Sequence, residues 1–256
     1  MKVINLSFFC QRNRFFSMAS VVLALALAGC TAPPPKAEIY DPGEPLNRAV
    51  HKFNVGIDSY ILRPVATSTV RPGGGPISNR VANFARNLAG PTDIMNNILQ
   101  LRLGRAVENT LRFALNTTVG IGGLWDPASA MGVDGSDTDF GETLHVWGFG
   151  EGQYLDAPFV GPTTSRDLTG LIVDIASNPW QIWLPAPESY ISTVAGAASA
   201  VVDRGRYVQT VDSILYDSAD SYAQARILYL QNRRFQLGQT TGDAALTDAY
   251  EDPYAE

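Results

Sequence analysis

Between residues 44 and 62 the apolar positions fall every three or four residues. Leu46, Val50, Phe53, Ile57, Tyr60 and Ile61 share one face, and Arg48, His51, Lys52, Asn54, Asp58 and Ser59 take the rest. This is the pattern of an amphipathic helix. Asp41 is expected to cap it, with Pro42 in the first turn and Glu44 three residues on, and Arg63-Pro64 to end it. A turn of Pro and Gly follows, from Arg71 to Pro76. Ile77, Val81, Phe84 and Leu88 make a second stripe, which Gly90-Pro91 is expected to break. Ile94, Met95, Ile98, Leu99 and Leu101 predict a short third helix. Gly104 parts it from a fourth carrying Ala106, Val107, Leu111, Ala114 and Leu115.

From Val119 to Gly161 the helical period disappears. Glycines and aromatics dominate, and the reading is loops, one short helix near Ala128 and a hairpin over 143–159. Thr164 to Asp167 is a capping box for a helix through Ala176. "NPWQIWLPAP" reads as a loop, and two or three helices are expected, at about 188–204, 206–216 and 219–237. The fold class is therefore all-α, one domain of short amphipathic helices over 41–237, with a Gly-rich loop or hairpin in its middle. Periodicity leaves two meanings open. The stripes can form the core of an ordinary bundle, or some of them can face acyl chains while the polar sides turn to a protected interior.

The N-terminus bears on that choice. Lys2, Arg12 and Arg14 precede an apolar run from Phe15 to Ala28, and Leu27-Ala28-Gly29-Cys30 closes it. A basic head, a short apolar segment and small residues at the end describe a secretory signal over 1–29. The cysteine matches a bacterial lipobox, so Cys30 is expected to carry lipid and to become the first residue. Cys10 then leaves with the leader, and no disulfide is possible in the mature chain. Residues 30–40, with Pro33-Pro34-Pro35, read as a lipidated, extended tether. Residues 238–256 carry no Lys or Arg and read as an acidic, disordered tail.

Losing the leader removes three of the 19 basic residues and none of the 25 acids, for a net charge of about −9. Nucleic acid is excluded as a partner on that balance. The chemical motifs are fragments. Asp139-Phe140-Gly141 lacks the other parts of a kinase, and Gly120-Ile121-Gly122-Gly123 runs into Leu-Trp-Asp-Pro rather than a nucleotide-binding helix. There is no G-x-S-x-G. The two histidines, His51 and His145, lack a recognisable partner motif, and His51 is expected to be solvated on the polar side of its helix. No catalytic residue, metal ligand or cofactor is expected.

A set of motifs is more specific. Asp41-Pro42-x-Glu44-Pro45-x-Asn47-Arg48 is followed by Phe53-Asn54, Asp58-x-Tyr60 and Leu62-Arg63-Pro64. Later come Asn87-Leu88, Asn96, Leu99-Gln100, Arg112-Phe113-x-x-Asn116-Thr117 and Gly120-x-Gly122-Gly123. The most distinctive run is Asp139-Phe140-Gly141-x-Thr143-Leu144-x-x-Trp147-Gly148-x-Gly150-x-Gly152-x-Tyr154, and Arg166-Asp167 closes the set. From Asp41 to about Arg234 the chain resembles the MlaA (VacJ) outer-membrane lipoproteins. Gly73-Gly74-Gly75 and Leu101 to Gly104 depart locally from that pattern.

The resemblance implies a ring of short helices in the inner leaflet of the outer membrane, around a polar-lined channel. It implies removal of misplaced phospholipid from the outer leaflet and its delivery, intact, to a soluble MlaC-like periplasmic carrier. It also implies association with trimeric porins. The candidate channel or gate residues are Asn54, Trp147, Gly148, Phe149, Gly150 and Gly152, where the glycines give mobility and the aromatics a plug. Trp125, Trp147, Trp180 and Trp183 suit the headgroup level. The alternative is a structural lipoprotein that steadies porins without moving lipid.

Overall fold

The computed structural model describes residues 39–239. The leader, Cys30, nearly all of the tether and the acidic tail lie outside the described residues. The described chain is mostly helical, with one two-stranded hairpin.

The first helix, α1 (Glu44–Ile57), does not stop at Arg63-Pro64. It passes through a π-helical turn at Asp58–Leu62 into α2 (Arg63–Thr69). Pro64 sits in the first turn of α2, where a missing N–H costs least. Asp41 is not the cap of α1; Gly43 occupies that position. Asp41 instead accepts bonds from Asn47, Tyr222 and Arg226. Gly90-Pro91 does not break the second helix either. α3 runs unbroken from Pro76 to Leu99 and absorbs the expected third helix. Interior proline costs about 3 kcal/mol or more, and packing against two neighbours offsets that cost. α4 (Leu103–Thr118) lies on α3, and so does the later helix Ile191–Arg206.

Beyond α4, α5 (Pro127–Ala130) is a single turn, and α6 (Phe140–Val146) occupies the first part of the expected hairpin. The hairpin itself lies further on. β1 (Tyr154–Ala157) pairs antiparallel with β2 (Gly161–Thr164), Tyr154 opposite Thr164 and Ala157 opposite Gly161. The Trp-Gly-Phe-Gly run could not extend as a strand, because Gly148 ends α6 in a left-handed turn. Its φ is +91°, its N–H bonds the carbonyl of His145, and Phe149 N–H bonds that of Leu144 at 2.9 Å.

The capping box is present. The Thr164 side chain accepts from the N–H of Asp167 and opens α7 (Ser165–Ala176). α7 crosses α6 where Gly170 meets Gly141; a Cβ on Gly170 would stand 2.2 Å from the Gly141 nitrogen. The "NPWQIWLPAP" stretch contains a short helix, α8 (Pro179–Trp183), capped by Asn178. α9 (Ile191–Arg206), α10 (Val208–Leu215) and α11 (Ser221–Gln236) complete the chain.

Apart from Leu88 and Ala106, which are buried, the stripes do not form a core. Leu46 is 70% exposed and Ile77 81%, and Phe53, Tyr60, Ile61, Val107 and Leu111 are exposed too. The opposite faces are buried: Asn47, His51 and Asp58 on α1, Asn87, Asp93, Asn96 and Asn97 on α3, Asn109 and Asn116 on α4. Among the described buried side chains polar ones outnumber apolar ones, and half of the apolar ones are alanine. The apolar core cluster is small, formed by Tyr154, Tyr222 and Leu230 with Ile39 and Tyr229 against it.

Candidate functional site

The buried amides have a common use. A primary amide carries a donor and an acceptor side by side, so it can bond a peptide as a neighbouring strand would. Asn109 donates to the Ser136 carbonyl and accepts from the Ser136 N–H, both at 2.8 Å. Asn116 accepts from the N–H of Ala128 and donates to Asp126. Asn96 donates to Asp174 at 2.9 Å and accepts from the Thr143 hydroxyl, which also receives a bond from Gln100. The helices thus grip the irregular middle of the chain through their polar faces. That leaves their apolar faces outward.

Burial raises Asp93 to about 8, and the carboxylates of Asp137, Asp174 and Asp139 add to it against the bond from Thr138 N–H. Burial likewise raises Asp174. It acts on Asp167 too, but Arg233 and Arg166 outweigh it and hold that carboxyl below its usual value.

Asn54 sits at the tip of the hairpin. Its amide donates to Asp156 at 2.7 Å and to the Ala157 carbonyl at 3.0 Å, and it accepts from Phe159 N–H at 2.9 Å. Phe159 adopts a left-handed φ of 64° and is 77% exposed. Its ring meets Phe53 edge-on at 5.4 Å. An apolar hairpin tip, Pro158-Phe159-Val160, is therefore fixed beside the exposed apolar face of α1. The sequence reading missed it. The available signal was "APFVGP", two large apolar residues between turn formers.

The remaining candidates lie apart from Asn54 in role, on the connection between α6 and β1. Trp147 is half exposed, with its indole N–H on the Leu99 carbonyl at 3.1 Å and its ring edge-on to Phe140. Phe149 and Gly150 are exposed. Gly152 takes φ +74° against Ser165. Of the other tryptophans, Trp125 and Trp183 are exposed. Trp180 is a peg between helices, its N–H on the Leu88 carbonyl at 2.6 Å and its ring on Phe113.

His51 corrects the sequence reading. It is 5% exposed, not solvated. Nδ1 lies 3.2 Å from Asp156 Oδ2 and Nε2 lies 3.0 Å from Ser221 Oγ. That is the partner order of an acyl-transfer triad. His51 and Asp156 are buried, and Asp220, the cap of α11 beside Ser221, accepts from Ala223 N–H at 3.0 Å and pairs with Arg48. The three residues act as a tie between α1, β1 and α11. Their separations in sequence, 105 and 170 residues, left no local signal.

Comparison with known proteins settles the lineage. The family described as MlaA lipoprotein matches residues 39–236. The chain belongs to the MlaA lipoprotein family. It is 31% identical over 228 residues to the intermembrane phospholipid transport system lipoprotein MlaA of Haemophilus influenzae, covering 86% of this chain and 89% of that one. The Escherichia coli K12 protein of the same name is 33% identical, over 76% of this chain and 77% of its own. An uncharacterised Rickettsia typhi protein is 35% identical, over 74% of each. A solved structure from work on the structural basis for maintenance of bacterial outer membrane lipid asymmetry superposes with a TM-score of 0.65 at 31% identity, covering 77% of this chain and 98% of that one. Many residues that carried the resemblance to the MlaA family prove to be clamps: Asp41 and Asn47, Asn96, Asn116, and Asp139 with Asp167 under Arg233.

Proposed function

We propose that this chain is an outer-membrane lipoprotein, anchored through Cys30, that takes misplaced phospholipids from the outer leaflet and passes them intact to a soluble MlaC-like carrier. Trimeric porins hold it in place. The observation that carries this reading is the reversed distribution of side chains, with apolar faces outward on α1, α3 and α4 and amides and carboxylates inward. Such a body is stable where hydrocarbon surrounds it, since exposed apolar surface costs roughly 25 cal/mol per Å² in water. Among the described residues no helix is long and apolar enough to cross a membrane, so the helices lie within a leaflet as a ring. The names of the MlaA relatives supply the substrate.

Gating belongs to the connection between α6 and β1. Gly148 is the stop of α6, so Gly150 is the mobile point, with open space around it. Gly150→Pro should slow transfer and leave helical content unchanged.

The reading is tested by reconstitution. The lipoprotein in one vesicle population should move radiolabelled phosphatidylethanolamine, unhydrolysed, onto the carrier. A chain beginning at Thr31 should still bind vesicles. No transfer, with porin binding retained, would leave a structural lipoprotein; lysolipid would indicate a hydrolase.

A further inference from the structure

A hollow of about 610 Å³ opens between the start of α3 and α9. Ile77, Val81 and Phe84 form one wall and Ile191, Val194 and Ala198 the other. Its size is that of a small-molecule site. Water gains little in such a space, because the walls offer almost no hydrogen bonds.

Two charges line the same hollow, Arg80 and Glu188. The Arg80 guanidinium carbon lies over the Trp125 ring, 4.4 Å from its centroid. One long bond, 3.5 Å, reaches the Leu124 carbonyl. No carboxylate among the described residues pairs with it, so most of its N–H donors remain for a ligand. Glu188 begins the 3₁₀ turn Glu188–Tyr190 ahead of α9 and is exposed. No cation among the described residues pairs with it. A free cation and a free anion therefore flank one apolar space without neutralising each other.

We propose that this hollow binds one glycerophospholipid with a primary ammonium headgroup. An acyl chain fills the apolar walls, the phosphodiester takes the Arg80 guanidinium, and the ammonium takes Glu188. A lipid with an uncharged glycerol headgroup satisfies Arg80 but leaves Glu188 facing a net anion. Selectivity for the zwitterion follows from the pair, whereas affinity follows from Arg80 and the walls. The inference rests on the reading of this chain as a phospholipid transporter, and it adds the headgroup.

The test uses the full mature lipoprotein in detergent micelles with an equimolar mixture of dioleoyl phosphatidylethanolamine and dioleoyl phosphatidylglycerol. Bound lipid is read by native mass spectrometry. The ethanolamine lipid should exceed the glycerol lipid about fivefold, the range of one partly exposed ion pair. Glu188→Gln should bring that ratio near one without reducing total lipid. Arg80→Gln should lower both lipids, and Arg80→Lys should restore part of the loss, which a folding defect would not do. Val194→Trp should fill the hollow and displace both. An unchanged ratio in Glu188→Gln, or undiminished lipid in Val194→Trp, overturns the proposal. If the wild type transfers intact lipid while these variants bind as it does, the hollow is wrong and the transport reading stands. If selective binding follows the variants but no lipid reaches the carrier, the hollow stands and the transport reading fails.

Discussion

Helix α11 and the pair α3–α4 are held in place by different means. α11 buries Tyr222 and Leu230 against Tyr154, in the one apolar core cluster of the described chain. Its arginines then fasten it: Arg226 to Asp41, Arg233 to Asp139 and Asp167, Arg234 to Glu151. Arg48 and Arg226 also stand over the Tyr222 ring, 4.6 and 5.2 Å from its centroid. α3 and α4 instead bury mainly amides, with Asp93 among them, and turn Leu103, Val107 and Leu111 outward. α11 combines an apolar centre with charged fasteners. α3 and α4 turn apolar side chains outward and polar ones inward.

The contrast can be broken at its fasteners first. Arg233→Ala removes the partner of Asp139 and one of the two arginines on the buried Asp167, which keeps Arg166 and the Tyr229 hydroxyl; this should cost about 3 kcal/mol and release α11. Thermal unfolding in detergent and proteolysis after Leu237 would both report it. Unchanged melting would mean that the apolar cluster alone holds α11.

In the amide-built region Asn96→Leu should cost less, about 1–3 kcal/mol. It leaves Asp174 and Thr143 without a shared partner. Hydrogen exchange should rise in α6 rather than in α11. A uniform rise across the molecule would erase the distinction between the two regions.

Acidity tests the same interior. Asp93, raised to about 8 by burial, keeps its proton in the folded chain and loses it near pH 4 in the unfolded one. The folded state therefore binds the extra proton across that window, and stability falls as pH rises through it. Asp174 is shifted in the same sense. The melting midpoint should drop between about pH 4 and pH 8 by roughly 2–4 °C for each kcal/mol lost. Asp93→Asn should flatten the drop. A midpoint that climbs over this range would show that Asp93 is ionised in the fold.

The smallest effect on stability belongs to the outward face. Val107→Asn with Leu111→Asn should change melting in detergent by less than about 0.5 kcal/mol each. Vesicle binding by a chain beginning at Thr31 should nevertheless fall. If melting collapses and vesicle binding does not, that face is core after all.

The sequence alone determined the helices, their stripes and the family. Those are local properties: a period of 3.6, a capping box at Thr164, motifs whose residues stand close together in the chain. The lipobox reading is local in the same way. Which side of each stripe points inward was not local. The same periodicity serves a bundle with an apolar core and one with a polar interior, and only the partners distinguish them. Asn109 finds Ser136 across 27 residues, Asn54 finds the hairpin across about a hundred, and Arg204 finds Asp58 across 146. Those distant bonds turned the polar faces in. They also buried His51, which by spacing alone belonged to a solvated face. Pro91 was misread for the same reason. Its cost as a helix breaker is intrinsic and readable, but the packing of α4 and α9 that offsets it on α3 exists only once the chain has folded.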